Sequence, residues 1–391
     1  MRPFRRAVVI VLDGAGIGAL PDAAAYGDAG ADTLGHVAAQ VPLRVPALRA
    51  LGLGRLVALG GAPPPDPPRA AVGRMAELSA GKDSVTGHWE LAGVVPERPF
   101  RVYPLGFPAA FIDHFTARIG RPVLGNCVAS GTAIIDALGA EHERTGAPIV
   151  YTSADSVLQI AAHEAVIPVD ELYRLCAIAY EMATGELGVG RVIARPFVGG
   201  PGAYHRTAAR RDFAVPPPAG TLLDRLTEAG VPVTAIGKIE DLFAGRGISH
   251  AIHTRNDEQG MDEVLRHVSG GTDGLIFANL VDFDTVYGHR NDVAGYAANL
   301  ERFDDRLEAL LPRLRQDDLL VVTADHGNDP TTPGTDHTRE YVPLLATGAR
   351  VRAGVDLGTR ATFADLGQTL AALFGVAPLA HGTGFLASMT D

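Results

Sequence analysis

Apolar, β-branched runs that end abruptly in Asp or His set the rhythm of this chain, and between them apolar positions recur at helical spacing. The run Val8–Leu12 predicts a strand, apolar without alternation, as strands buried on both faces are. A short helix is expected around Pro46–Leu53, and the proline stretch APPPDPPR reads as a surface loop. Past the PPP at 216–218, which can neither continue a helix nor donate to a central ladder, helix and strand alternate. Helices are expected over Thr221–Ala229, Met261–Val268 and Val293–Leu311, and strands over Val231–Ile236, Leu275–Val281 and Leu319–Thr323. A strand at Val342–Ala346 and a helix at Ala364–Phe374, stopped by Gly375, complete the series. Such alternation predicts a wound α/β sheet.

The texture changes after Arg101: helical spacing around Phe111–Ile119, strand-like PIVYTS, a helix around Asp170–Met182, then RVIARPFVGG. This predicts an inserted domain over 101–216 within a core made of 1–100 and 217–391. A chain of 391 residues exceeds the size at which one core usually keeps growing, which favours the same division.

Composition narrows the function. Hydrophobic content of 47% fits a globular α/β protein, and the net charge of -11 argues against a nucleic-acid partner, because binding the phosphate backbone needs a basic face. Cys127 and Cys176 are too few for a disulfide framework and read as thiols in a reducing compartment, so a cytoplasmic protein is expected. The start MRPFRRAVVIVLDG imitates a signal peptide, but its apolar run is short and ends in Asp13, and no apolar stretch is long enough for a membrane span.

Three clusters carry the chemistry: Asp13 closing AVVIVLD, Asp284 and His289 in DFDTVYGHRND, and Asp325, His326 and His337 in VVTADHGNDPTTPGTDHTREYVP. An Asp at the end of a buried strand points to the crevice where open α/β sheets bind ligands. Any one of these residues alone is more often a turn former. Together, three carboxylates would repel one another without a cation, and six oxygen and nitrogen donors exceed what one tetrahedral site needs, so a pair of divalent ions is the economical reading. Gly14, Gly16 and Ala19 also match a dinucleotide fingerprint, but Asp13 would then face the pyrophosphate. In AGKDSVTGHWELAGV, Lys82, Asp83 and two hydroxyls precede a stretch able to start a helix, where backbone amides favour an anion and a hydroxyl can act as nucleophile. The alternative is a simple N-cap, and spacing alone does not choose between Ser84 and Thr86.

With GKDSVTGHWE, YTSADSVLQIAAHE, FDTVYGHRND and TADHGNDPTTPGTDHTREYVPLL on the page, the chain resembles the phosphopentomutases of the alkaline-phosphatase-like metalloenzyme superfamily over nearly its whole length. The resemblance implies an alkaline-phosphatase-like core sheet flanked by helices, with an inserted α+β cap. It further implies two Mn2+ ions and interconversion of ribose or 2-deoxyribose 1-phosphate with the 5-phosphate. Asp13, Asp325 and His326 would hold one ion, and Asp284, His289 and His337 the other. Thr86 would carry the phosphoryl group, primed by glucose 1,6-bisphosphate or a similar sugar bisphosphate. Ser84 stands where the family usually has Thr. Ser153, Asp155, Arg195 and Arg206 match the cap's substrate-contacting region, and Lys238 its counterpart in the core. Guanidinium groups suit bidentate phosphate binding.

Overall fold

The run Arg6–Leu12 (β1) is buried at every position and lies inside an eight-stranded sheet in the computed structural model, which describes residues 4–61, 63, 65–153 and 156–390. The chain divides into two units, one of Met1–Pro99 with Pro216–Asp391 and one of Phe100–Val215.

The first unit continues in β2 (Ala71–Met75). The second holds β3 (Leu124–Val128), β4 (Ile149–Thr152), β5 (Val157–His163), β6 (Arg191–Val198), β7 (His205–Arg206) and β8 (Arg211–Ala214). The chain then returns to the first unit in β9 (Val233–Ile236), β10 (His250–Ile252), β11 (Gly274–Leu280), β12 (Asp318–Thr323), β13 (Val342–Thr347) and β14 (Asp356–Arg360).

The core sheet runs in the order β10-β9-β11-β1-β12-β13-β2-β14. β1 pairs in parallel with β11, Arg6 opposite Gly274 through Leu12 opposite Leu280, and with β12, Arg6 opposite Asp318 through Val11 opposite Thr323. β13 is antiparallel to both β12 and β2, so β2 points the same way as β1. One edge of the sheet therefore collects the carboxyl ends of β1, β2, β11 and β12 and the start of β13. At the opposite edge the buried Arg6 is neutralised by a two-pronged pair with Asp318, which removes the cost of an unpaired buried charge.

The second unit has its own sheet, β3-β4-β5-β6-β7, with β8 also on β6. Alternation along β4 sends Val150 into an apolar cluster with Phe111, Phe115, Leu158 and Leu172, while Ile149 and Tyr151 join Ile134, Ile135 and Phe197 on the other face. Helices Ala109–Ile119 and Val169–Met182 supply the first cluster and helix Gly131–Thr145 the second. No described helix is long and apolar enough to cross a membrane.

Candidate active site

The carboxyl edge of the core sheet gathers what the sequence scatters. Asp13 follows β1, Asp284 and His289 follow β11, Asp325 and His326 follow β12, and His337 precedes β13. Asp13 Oδ1 lies 3.2 Å from His326 Nε2, and Asp325 Oδ2 lies 3.4 Å from the same nitrogen. Asp284 lies 3.2 Å from His289 Nε2 and 3.4 Å from His337 Nε2. Among the described residues two triads have donor atoms within 4.8 Å of one another: Asp13, Asp325 and His326, and Asp284, His326 and His337. His326 belongs to both. His289 is in neither, although its Nε2 lies 3.2 Å from Asp284 and its ring centroid is 4.8 Å from that of His337.

The charges explain the imidazoles. Burial alone would lower the His326 pKa, but Asp325, Asp13 and Asp284 together raise it well above the usual value. Burial raises Asp284, and His337 and His289 outweigh that and hold it well below the carboxylate range. The site thus concentrates negative charge that a cation would satisfy. A second observation points the same way: Asp325 Oδ2 is buried and has no hydrogen-bond donor. His88 Nδ1 approaches it to 3.0 Å, but the His88 hydrogen bond goes to the Ser84 carbonyl at 2.8 Å. An orphaned carboxylate oxygen beside an imidazole nitrogen is the donor set a divalent ion takes, so the residues fit the metal pair read from the sequence.

Helix Ser84–Leu91 brings the two candidate hydroxyls to this edge, and it treats them differently. Asp83 is its N-cap, accepting from the amides of Val85 at 3.0 Å and Thr86 at 3.2 Å. Thr86 closes the capping box: its Oγ1 lies 3.0 Å from the Asp83 carbonyl, 3.1 Å from Asp83 Oδ2 and 3.4 Å from the Asp83 amide. Ser84 Oγ instead donates to Asp13 Oδ1 at 3.1 Å and stands 3.2 Å from His326 Nε2. The expectation placed the reactive hydroxyl at Thr86, but that side chain is engaged in capping the start of the helix, and Ser84 is the hydroxyl that faces the ligand cluster. The signal was present in the sequence, since Asp83 and Thr86 have the i, i+3 spacing of a capping pair.

Backbone contact fixes the spacing. A Cβ on Gly87 would lie 2.2 Å from the Asp325 carbonyl oxygen, so only glycine lets the helix come this close to the strand-end loop. Asn328 donates to Asp284 Oδ1 at 2.6 Å, and Asn279 donates to Asp13 Oδ2 at 2.8 Å. Neither asparagine was singled out from sequence. Lys82 pairs with Asp28 at 3.0 Å and with Asp336 at 3.1 Å, tying the turn before Ser84 to the residue before His337. Lys238, just past β9, is close enough for its charge to lower Asp13.

The remaining expected contacts lie in the second unit. Ser153 follows β4 half-buried, and Asp155 lies outside the described residues. Arg195 on β6 donates to Gln159 Oε1 at 3.0 Å, and burial with Arg210 and Arg206 nearby brings its pKa down to about 10. Arg206 on β7 is exposed, its guanidinium over the first turn of helix Gly131–Thr145.

A family model described as the metalloenzyme superfamily matches residues 5–378. A phosphopentomutase of Caldanaerobacter subterraneus subsp. tengcongensis is 55% identical, over 98% of this chain and 98% of its own. That of Acetivibrio thermocellus is 54% identical over 99% and 100%, and that of Anaeromyxobacter dehalogenans 56% over 99% and 99%. Among solved structures, a Leishmania mexicana phosphoglycerate mutase matches with a TM-score of 0.50 at 16% identity, over 98% of this chain and 97% of its own, a likeness of fold alone.

Proposed function

This chain belongs to the metalloenzyme superfamily and, within it, to the phosphopentomutases, and on that premise we propose that it interconverts ribose or 2-deoxyribose 1-phosphate with the 5-phosphate through phosphorylated Ser84. The observation that carries the reading is the Ser84 hydroxyl, 3.1 Å from Asp13 and 3.2 Å from His326 at the meeting point of the two triads.

Phosphorylated Ser84 gives its phosphoryl group to the free hydroxyl of a pentose monophosphate: the Oγ–P bond breaks, a sugar O–P bond forms, and the sugar hydroxyl's proton passes to the freed Ser84 oxygen, to be given back when the second transfer re-forms the phosphoserine. The pentose bisphosphate turns end for end. Ser84 Oγ then takes the other phosphoryl group, regenerating the phosphoenzyme and releasing the isomer. Asp13, Asp325 and His326 would hold one divalent ion and Asp284, His337 and His289 the other, with His326 within reach of both; bound there, the pair would neutralise phosphoryl oxygens and acidify the serine hydroxyl. Oxygen and imidazole donors suit several first-row ions; the family likeness points to manganese, and to priming by glucose 1,6-bisphosphate. Ser153, Asp155, Arg195, Arg206 and Lys238 are the proposed substrate contacts. Sugar phosphates and the free thiols Cys127 and Cys176 suit the cytoplasm.

The test is turnover by purified protein with Mn2+ and trace glucose 1,6-bisphosphate, following ribose 1-phosphate and 2-deoxyribose 1-phosphate by 31P NMR. We expect conversion to the 5-phosphates without inorganic phosphate. Stoichiometric phosphate release would identify a phosphatase instead.

A further inference from the structure

His88 is wholly buried in the nucleophile helix, and the phosphoryl-transfer scheme gives it no part. Its Nδ1 lies 2.8 Å from the Ser84 carbonyl oxygen and 3.0 Å from Asp325 Oδ2. Its Nε2 lies 3.2 Å from Asn279 Nδ2, the nitrogen that also donates to Asp13 Oδ2 at 2.8 Å.

The network selects which ring nitrogen donates and which accepts. An ionised carboxylate only accepts, so Asn279 must turn its NH2 toward Asp13, and the same NH2 then faces His88 Nε2. That nitrogen is the acceptor and carries no proton. Nδ1 faces two oxygens, neither of which can donate, so it carries the proton. The other tautomer would set a lone pair against both oxygens and Nε2–H against the amide hydrogens.

We infer that His88, its Nε2 facing the Asn279 amide and its Nδ1 facing the Ser84 carbonyl, is a positioning residue that ties the backbone of Ser84 to the carboxylate of Asp13; the inference rests on, and deepens, the reading of Ser84 as nucleophile. The chain Asp13, Asn279, His88, Ser84 runs from the sheet, through the penultimate residue of β11, to the first residue of the nucleophile helix. It fixes the rotation of Asp13 by the oxygen that Ser84 does not use. Partners that orient ligating groups in this way typically change metal affinity by about 10–100-fold when removed.

Two measurements test this, and neither uses turnover, so loss of the mutase reading would not be mistaken for loss of this one. In 15N-histidine-labelled protein, stripped of metal and again with Mg2+, the His88 ring, assigned by its disappearance in His88→Asn, should show protonated Nδ1 and bare Nε2. An Nε2–H tautomer with bare Nδ1 overturns the inference. In Mn2+ titrations followed by EPR, His88→Ala should weaken one of the two ions by about 10–100-fold. His88→Asn, whose amide can occupy the Nδ1 position, should recover much of that loss. Wild-type affinity in His88→Ala, or no recovery in His88→Asn, overturns it. If the alanine variant fails to fold, the ring spectrum of the wild type decides.

Discussion

Replacing Ser84 and Thr86 separately distinguishes a nucleophile from a cap. Two positions along an α-helix turn a side chain by about 200° around the axis, and that rotation leaves Ser84 Oγ 3.1 Å from Asp13 and Thr86 Oγ1 3.1 Å from Asp83 Oδ2. Thr86 cannot stand in for Ser84, since a misplacement of about 1 Å already costs on the order of a hundredfold in rate. Ser84→Ala should therefore abolish mutase activity, a loss on the order of a millionfold by comparison with other covalent nucleophiles. Thr86→Ala should cost about 1 kcal/mol of stability, half of the capping box, because Asp83 keeps both amide contacts. Its turnover should stay within about tenfold of wild type, the consequence of a strain of that size at the helix start. Ser84→Thr restores the family's usual residue and should stay active. The assay is incubation with glucose 1,6-bisphosphate, peptide mapping by mass spectrometry, and turnover of each variant. Phosphate on Thr86, or a Ser84→Ala protein that still turns over at near-normal rate, would refute the reasoning.

Gly87→Ala should fold but lose at least a hundredfold in kcat, because its methyl would meet the Asp325 carbonyl at 2.2 Å and push the helix away; a normal kcat would mean the spacing is not critical. His326→Ala should weaken both ions together, since one imidazole serves both triads, and calorimetric Mn2+ titration showing one site intact would contradict this. Burial, with Asp282 adding to it, pushes Asp257 up to about 7 from 3.8. The folded chain then keeps a proton the unfolded chain has lost, so stability falls as pH rises from 3.8 to about 7 and levels off above, by roughly 4 kcal/mol in all. Urea melts of Asp257→Asn should lack that slope, and an unchanged slope would assign it elsewhere. Arg206→Ala should raise KM for pentose phosphates with little change in kcat, and an unaltered KM would remove Arg206 from the substrate contacts.

β1, β9, β11, β12 and β13 were legible because they are largely apolar runs, and the ligands because they follow or precede such runs, whereas β2, β10 and β14, which carry Arg74, His250 and Asp356, were not read. β5 was not separated from PIVYTS because Gln159 and His163 interrupt its pattern, yet both are buried, Gln159 satisfied by Arg195. Helix Gly131–Thr145 escaped because only Ile134, Ile135, Gly139 and His142 of it are buried, too sparse a stripe to read. Asn279 is hidden inside LIFANL as the single polar residue of a strand, and its purpose shows only when Asp13 and His88 are placed beside it. The choice between Ser84 and Thr86 depends on where the helix starts, a one-residue question that hydrophobic spacing does not answer.

The pairing of β1 has a consequence for synthesis. Arg6 finds its first neighbour at Gly274 and its second at Asp318. At about 5–20 residues per second, the ribosome delivers the earlier partner roughly 15–50 s after β1. Throughout that interval a strand apolar but for Arg6 has both hydrogen-bonding edges open, the condition in which nascent chains aggregate or are taken up by chaperones. The contiguous segment 100–215 has all of its strands translated within the same wait. Metal capture must come later still: no ion can meet a complete triad until His326 has been made, and the second triad waits for His337.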